Sequence, residues 1–70
     1  MRYAVVFERS PRNYAAYVPD LPGCIATGRT RKEVELRLKE AINMHVEELR
    51  KDKLPVPRPV AWADVVDIPA

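Results

Sequence analysis

The segment Tyr17-Val-Pro-Asp-Leu-Pro-Gly-Cys-Ile25 places two prolines and a glycine between stretches of aromatic, β-branched and small residues. Pro19 and Pro22 each lack a backbone amide hydrogen and hold φ near −65°, so the segment cannot continue a strand ladder. Gly23 can adopt the positive φ that returns the chain to a sheet. A tight two-residue turn would be enough to join two strands. The segment is therefore predicted either to fix the strand register or to present a rigid contact loop.

The residues on both sides of this segment alternate in the manner of β-strands. Residues 2–8, 13–18 and 24–28 are predicted to form three strands, joined as an antiparallel meander over residues 1–28. Both faces of the first two strands are apolar. The face without a helix is predicted to bind a second copy or another protein, unless its small side chains simply face water. The residues assigned to this oligomer face are Ala4, Val6, Ala15 and Tyr17.

A helix is predicted over residues 30–53. Thr30-Arg-Lys-Glu33 has the form of a capping box, in which the hydroxyl and the carboxylate bond reciprocal backbone amides. Apolar residues then recur at helical spacing from Val34 to Leu49 and form one stripe for packing against the sheet. Pro55 cannot continue the helix and marks its end.

The remaining residues complete the predicted topology. Residues 54–60 contain three prolines in alternation and predict an extended, semi-rigid spacer. Residues 62–68 are predicted to form a final strand, since most of them are apolar. The predicted fold is therefore one α+β domain over residues 1–70, with the order β-β-β-α-β and one helix packed on one face of a small antiparallel sheet.

Composition limits the class of protein. A 70-residue chain has a small core, so a homodimer or homotetramer is expected to add stability. One cysteine, Cys24, and one histidine, His45, exclude a disulfide and a structural zinc site, and both are predicted to be packing residues. Twelve basic and ten acidic residues give a net charge of only +2. No segment has the pattern of a signal peptide or a membrane span, which predicts a cytoplasmic protein.

Three motifs together resemble the HicB family of type II antitoxins. They are Tyr17-x-Pro19-Asp20-Leu21-Pro22-Gly23-Cys24, Thr27-Gly28-x-Thr30-x-x-Glu33-Val34 and Leu54-Pro55-x-Pro57-x-Pro59. The resemblance implies a partial RNase H-like fold, which agrees with the predicted order of elements. It also implies a HicA-type toxin as the partner. That toxin is a small protein with a double-stranded-RNA-binding-like fold, which cleaves mRNA with a histidine and is blocked by its antitoxin.

Many members of that family carry a C-terminal helix-turn-helix or ribbon-helix-helix module that binds operator DNA. Only eleven residues follow Pro59, too few for such a module, so this chain alone is predicted not to bind DNA. A stiff loop loses little entropy on binding, and acidic groups complement a basic RNA-cleaving toxin. The residues predicted to bind the partner are Glu8, Tyr17, Asp20, Leu21 and Pro22.

An RNase H-like fold raises the alternative of an orphan domain with nuclease or RNA-binding activity. Two-metal nuclease chemistry needs several converging carboxylates. No carboxylate precedes Glu8, at the end of the first predicted strand, and the helix acids are assigned to the cap and to surface ion pairs. No catalytic, metal or cofactor site is therefore predicted. For RNA binding, the best candidate is the cluster from Arg29 to Lys32, although a solvated helix face also explains these bases.

Overall fold

Three strands and one helix make up the fold, which is given by a computed structural model over residues 1–69. Strands β1 (Val6–Arg9), β2 (Tyr14–Tyr17) and β3 (Ile25–Gly28) precede helix α1 (Arg31–Lys51). The sheet has the order β1-β2-β3, and both strand pairs are antiparallel. The predicted α+β class, the antiparallel meander and the single helix are confirmed.

The first strand is shorter than predicted. It begins at Val6 instead of at residue 2, because Val6 pairs with Tyr17, the last residue of β2. Pro19 follows shortly after Tyr17 and has no amide hydrogen to donate to a ladder. Residues 2–5 therefore have no partner strand, and each strand of the meander keeps four residues.

Helix α1 covers one face of the sheet, and the core lies between these two layers. Alternate residues of the strands point to the helix, so Phe7 and Ala16 contribute to the core, and neighbouring Val6 and Tyr17 point away from it. The thinnest dimension of the molecule is 16 Å, which corresponds to one helix layer and one sheet layer. The fully buried core residues are Ala16, Val18, Leu21, Cys24, Val34 and Leu38.

The N-terminal end of α1 contains half of the predicted capping box. Thr30 Oγ1 accepts a hydrogen bond from the Glu33 amide at 3.1 Å. The Glu33 carboxylate pairs with Arg37 at 3.0 Å instead of returning to the Thr30 amide. Arg37 also donates to the Thr27 carbonyl oxygen at 2.9 Å, and this bond ties the first turns of the helix to the end of β3.

The C-terminal end of α1 is closed by a Schellman motif. Lys53 adopts a positive φ of 56° and donates to the Arg50 carbonyl oxygen at 3.1 Å. Leu54 donates to the Leu49 carbonyl oxygen at 2.8 Å. The helix therefore ends at Lys51, two residues before the predicted end at residue 53, and the chain leaves in the extended form that Pro55 favours.

The predicted final strand at residues 62–68 is wrong. These residues form no strand, and Trp62, Val65, Val66 and Ile68 are between 75% and 87% exposed. A strand requires a neighbour, and the described chain brings none alongside this segment.

Two contacts hold the preceding spacer across one end of the sheet. Tyr3 Oη donates a hydrogen bond to the Pro57 carbonyl oxygen at 2.6 Å. The Asp20 carboxylate accepts hydrogen bonds from the amides of residues 60 and 61. Residues 62–68 are called the C-terminal arm below.

Candidate protein-interaction surface

The loop between β2 and β3, residues 18–24, consists of two consecutive turns and is called the Pro loop. The Leu21 amide donates to the Val18 carbonyl oxygen at 3.0 Å and closes the first turn. The Cys24 amide donates to the Leu21 carbonyl oxygen, also at 3.0 Å, and closes the second. A further bond of 3.2 Å joins the Val18 amide to the Cys24 carbonyl oxygen across the base. The loop is therefore rigid and internally bonded.

Pro22 and Gly23 occupy the two central positions of the second turn. Gly23 has a φ of 83°, so the turn is of type II, which favours proline first and requires a positive φ second. Pro19 occupies the first central position of the preceding turn, where its fixed φ is also suitable. These residues are exposed, so the loop presents a preformed surface to solvent.

Replacing Gly23 by alanine is expected to lower the free energy of unfolding by about 1–2 kcal/mol, since an L-residue resists a positive φ. A Cβ at this position would meet no atom within 4 Å, so the loss would come from the backbone conformation and not from a steric clash. Asparagine tolerates a positive φ better than alanine does, so Gly23→Asn should lose less. Urea unfolding of the unmodified protein and the two variants would measure these losses of stability. Equal losses for alanine and asparagine would contradict backbone strain as the cause.

Leu21 lies inside the molecule. Its side chain is 0% exposed and belongs to the same buried cluster as Val34 and Leu38 of the helix. The prediction that Leu21 contacts a partner is therefore wrong for this conformation, because the two turns point its side chain into the core. The Pro loop has a structural role through Leu21, and only its outer side is available for binding.

Asp20 is occupied within the chain. Its Oδ2 atom accepts hydrogen bonds from the Val60 amide at 3.0 Å and from the Ala61 amide at 3.1 Å. A carboxylate bonded to two amides makes charge-assisted bonds, which are stronger than neutral ones. The predicted partner-binding residue Asp20 thus holds the end of the proline spacer against the Pro loop.

Replacing Asp20 by alanine is expected to release the spacer from the Pro loop. Two hydrogen bonds are removed, so the local stability should fall by about 1–3 kcal/mol. Hydrogen exchange should show faster exchange of the Val60 and Ala61 amides, with β2 still protected. Glu40→Ala removes an exposed carboxylate from the helix and serves as the matched control. Unchanged exchange at residues 60 and 61 in Asp20→Ala would contradict the anchoring role.

The sheet face opposite the helix carries an apolar row across all three strands. Val6 is paired with Tyr17, and Tyr17 is paired with Ile25, so the three side chains lie side by side. Tyr17 is 38% exposed and Ile25 is 59% exposed. The predicted oligomer face includes Val6 and Tyr17 of this row but does not include Ile25. The alternation of Ile25 with half-buried Ala26 is the signal that could have found it.

A second row on the same face contains two further predicted residues, Glu8 and Ala15. Glu8 is paired with Ala15, and Ala15 is paired with Thr27. Glu8 is exposed, whereas Ala15 and Ala4 are half-buried. Ala4 precedes β1 and so lies outside the hydrogen-bonded sheet. Within residues 1–69, the open face therefore combines an apolar centre with the exposed Glu8 carboxylate at its rim.

Basic residues gather at the end of the sheet remote from the Pro loop. Arg9 is paired with Tyr14, which is paired with Gly28, so the β1–β2 turn lies beside the end of β3. Arg9, Arg12 and Arg29 line one shallow hollow with Tyr14. The helix begins nearby, and Arg31 lies over the Phe7 ring at 5.0 Å from its centroid. The bases at this end are Arg9, Arg12, Arg29, Arg31 and Lys32.

Groups with catalytic potential are dispersed. Within residues 1–69, no three side chains of His, Cys, Asp or Glu come together in a way that could hold a metal ion. Cys24 is buried, and this burial raises the pKa of its thiol, so the thiol stays protonated at neutral pH. His45 is half-buried on the helix and lines the same shallow groove as Cys24. The described residues contain no helix long and apolar enough to span a membrane.

Curated relatives of this chain are small bacterial, archaeal and phage proteins. A UPF0150 protein of Thermoplasma acidophilum is 39% identical over 59 residues, which cover 83% of this chain and 86% of the relative. An uncharacterised protein from the rep-hol intergenic region of Haemophilus phage HP1 is 39% identical over 58 residues. That match covers 83% of this chain but only 44% of the phage protein.

The fold also matches a solved structure, described as a HicA3 and HicB3 toxin-antitoxin complex. The TM-score is 0.69 at 28% sequence identity, and the match covers 81% of this chain and 66% of the solved chain. The chain thus spans about two thirds of that relative. A family model described as HicB-like antitoxin of bacterial toxin-antitoxin systems matches residues 3–70. On this match the chain belongs to the HicB-like antitoxin family.

Proposed function

We propose that this chain is a non-catalytic antitoxin domain of the cytoplasm, which neutralises a HicA-type mRNA-cleaving toxin by covering its active site. The observation that carries the proposal is the open apolar sheet face, where Tyr17 and Ile25 are exposed beside the rigid Pro loop. Exposed apolar surface next to polar groups is typical of protein-binding sites. The similarity to a HicA3 and HicB3 complex supports a toxin as the occupant.

The Pro loop favours tight binding because its shape exists before the partner arrives. Its three internal backbone bonds and its two prolines leave little loop entropy to lose on association. Pro22 is exposed on the outer side of the loop and next in chain order to the buried Leu21. A partner seated on Tyr17 and Ile25 would therefore meet Pro22 as a fixed rim.

The charge of this surface favours a basic partner. A toxin that binds RNA needs basic groups around its active site, and acidic groups on an antitoxin would attract them. Asp20 is occupied by the spacer amides, so Glu8 is the carboxylate that remains exposed on the open face. The proposed toxin-binding set is thus Glu8, Tyr17, Pro22 and Ile25.

The test uses the small protein encoded beside this chain. We expect the purified neighbour to cleave RNA, and we expect this chain to abolish the cleavage at a stoichiometric ratio. Light scattering of the mixture should then give the mass of a hetero-complex. A neighbour that cleaves RNA equally fast with and without this chain, or that neither cleaves RNA nor binds, would refute the proposal.

A second copy is the other proposed partner. The predicted oligomer face, Ala4, Val6, Ala15 and Tyr17, shares Tyr17 with the toxin-binding set, so a copy seated there would compete with the toxin. Addition of toxin would then break up homodimers or homotetramers. A mass that rises by whole toxin units, with the homo-oligomer intact, would place the contact between copies elsewhere. Operator binding is not proposed for this chain alone.

RNA binding is a second candidate function, favoured by the gathering of five bases at one end. The sequence separates Arg9 and Arg12 from Arg29, and the hairpin brings them together around the Tyr14 ring. Arginines next to an aromatic ring can bind phosphates and stack on unpaired bases.

Arg12→Ala combined with Arg29→Ala is expected to remove most of any affinity for single-stranded RNA, because two guanidinium groups no longer bind phosphates. Fluorescence anisotropy over a salt series should show a smaller dependence of the binding constant on salt, with the slope reduced by roughly one for each guanidinium removed. Lys51→Ala combined with Lys53→Ala, at the far end of the helix, is the matched control. Equal effects of the two pairs would mean non-specific attraction, and no measurable binding by the unmodified protein would exclude this function.

A further inference from the structure

We infer that the C-terminal arm of one copy seats in the groove between β1 and α1 of a second copy, so that two chains exchange arms reciprocally. This inference concerns the assembly of the antitoxin chain with itself and does not depend on the toxin. It involves a surface different from the open sheet face. The observations that carry it are the unpaired arm, the matching groove and their opposite charges.

The arm has the composition of a strand but no partner. Trp62, Val65, Val66 and Ile68 are strand-forming residues exposed to solvent. Residues 62–68 contain no proline, so each can donate an amide hydrogen to a ladder. Within residues 1–69, the one hydrogen bond made by an arm amide is local, from Val65 to Asp64 Oδ1 at 2.7 Å. The arm thus offers both apolar side chains and free amides.

The β1–α1 groove combines an unpaired strand edge with an apolar floor. β1 is an edge strand, so its outer amides and carbonyls have no strand partner. The helix packs over β2 and β3 and is displaced from β1, which leaves a groove with an apolar floor. An added strand along β1 would continue the sheet and lay alternate side chains on this floor. The floor residues are Val5, Phe7, Leu38 and Ile42.

Charge complementarity selects the arm as the occupant. All twelve bases of the chain lie at or before Arg58, together with eight of the ten acids, so residues 1–58 carry a net charge of +4. The residues beyond them hold the other two acids, Asp64 and Asp67, and no base. The groove rim carries Arg2 and Lys39 against one acid, Glu35. In an added strand Asp64 lies on the same side as Val66, so Asp64 is the carboxylate that reaches the basic rim. The arm as a whole is thus an acidic apolar segment that fits an apolar groove with a basic rim.

Chain path indicates exchange between copies. The spacer crosses from Tyr3, which leads into β1, to Asp20, in the Pro loop beyond β2. The arm therefore starts by moving away from β1, and it would have to cross back over residues 57–61 to enter the groove of its own chain. The alternating prolines at residues 55, 57 and 59 hold the preceding spacer extended, which opposes such a reversal.

The dimensions agree with an arm that reaches a neighbour. The molecule is 48 Å long, against about 31 Å for a 21-residue helix. Its radius of gyration is 13.9 Å, whereas a compact domain of this length has about 11 Å. Seven extended residues span roughly 23 Å, more than the length of the four-residue β1. Two copies related by a two-fold axis would each receive the arm of the other.

The test is a charge exchange between two variants of the full chain. The groove variant carries Arg2→Glu and Lys39→Glu, and the arm variant carries Asp64→Lys and Asp67→Lys. Each variant alone should dimerise at least tenfold more weakly than the unmodified protein, because arm and groove then have like charges. An equimolar mixture should regain dimers, because each arm meets a groove of opposite charge. Analytical ultracentrifugation measures the masses, and circular dichroism checks the fold.

Trp62, the only tryptophan, gives a second readout. Its emission should shift to the blue as the concentration of the unmodified protein is raised. The same shift should appear when the two charge variants are mixed, and it should be absent when either variant is measured alone. Val66→Asp should raise the dimer dissociation constant on the order of a hundredfold, since it places a charge on the apolar floor. Leu36→Asp, at an exposed residue of the outer helix, is the matched control and should leave the mass unchanged.

Three results would overturn the inference. The first is a monomer at all concentrations, with Trp62 emission independent of concentration. The second is a failure of the mixed charge variants to form heterodimers. The third is loss of the dimer on Tyr17→Asp with no effect of Val66→Asp, which would place the contact on the open sheet face instead. A dimer that survives Tyr17→Asp and dissociates on Val66→Asp supports arm exchange.

Discussion

Leu21→Ala is expected to lower the free energy of unfolding by about 2–5 kcal/mol, because it removes most of a fully buried side chain and leaves a cavity. A domain of 70 residues has a total stability of roughly 4–10 kcal/mol. The expected loss is therefore a large part of the total free energy of unfolding. The midpoint of thermal unfolding should fall by about 10 °C or more.

The matched control is Leu36→Ala, which makes the same chemical change at an exposed position on α1. It should change the stability by less than about 0.5 kcal/mol. Both variants are measured at one protein concentration, so that self-association does not alter the comparison. If the two losses are equal, the Pro loop does not place Leu21 in the core.

Tyr17→Ala is expected to raise the dissociation constant for the toxin about thirtyfold or more. A half-exposed tyrosine at the centre of an apolar row has the features of a binding hot spot, and truncation at such positions costs about 2 kcal/mol or more. Its exposure also means that the fold should survive the change. Titration calorimetry with the toxin proposed above, and inhibition of its RNA cleavage, measure the effect.

Two controls locate the contact. Tyr17→Phe keeps the ring and should retain most of the affinity, unless the hydroxyl itself is bonded by the partner. Leu36→Ala changes an exposed apolar residue on the helix layer, away from Ile25, and should have little effect. If Leu36→Ala weakens binding and Tyr17→Ala does not, the toxin binds the helix side, and the proposed surface is wrong.

Arm exchange and toxin binding are compatible in this arrangement. The groove lies on the helix side of β1, and the proposed toxin-binding set lies on the open face of the sheet and the adjoining Pro loop. A dimer built by its arms would therefore leave both open faces free for toxin. Competition between a second copy and the toxin arises only if the contact between copies includes Tyr17.

Local chemistry was sufficient to predict the three strands and the helix of this fold. Proline and glycine at residues 19, 22 and 23 restrict backbone angles within a single loop, and strand alternation has a period of two residues. Thr30 and Pro55 mark the two ends of the helix through their own amide chemistry. The motifs of the HicB family are made of these same residues, so the family could be recognised before the structure.

The tertiary structure decided which residues are exposed and available for binding a partner. Leu21 and Pro22 are neighbours in an apolar loop, yet one is buried and the other exposed, because the two turns point them in opposite directions. Asp20 meets amides 40 and 41 residues away, and Tyr3 meets a carbonyl 54 residues away. The strand predicted at residues 62–68 has the right composition but no neighbour. Periodicity describes a segment and its faces, whereas burial, anchoring and strand pairing depend on which distant segments the folded chain brings into contact.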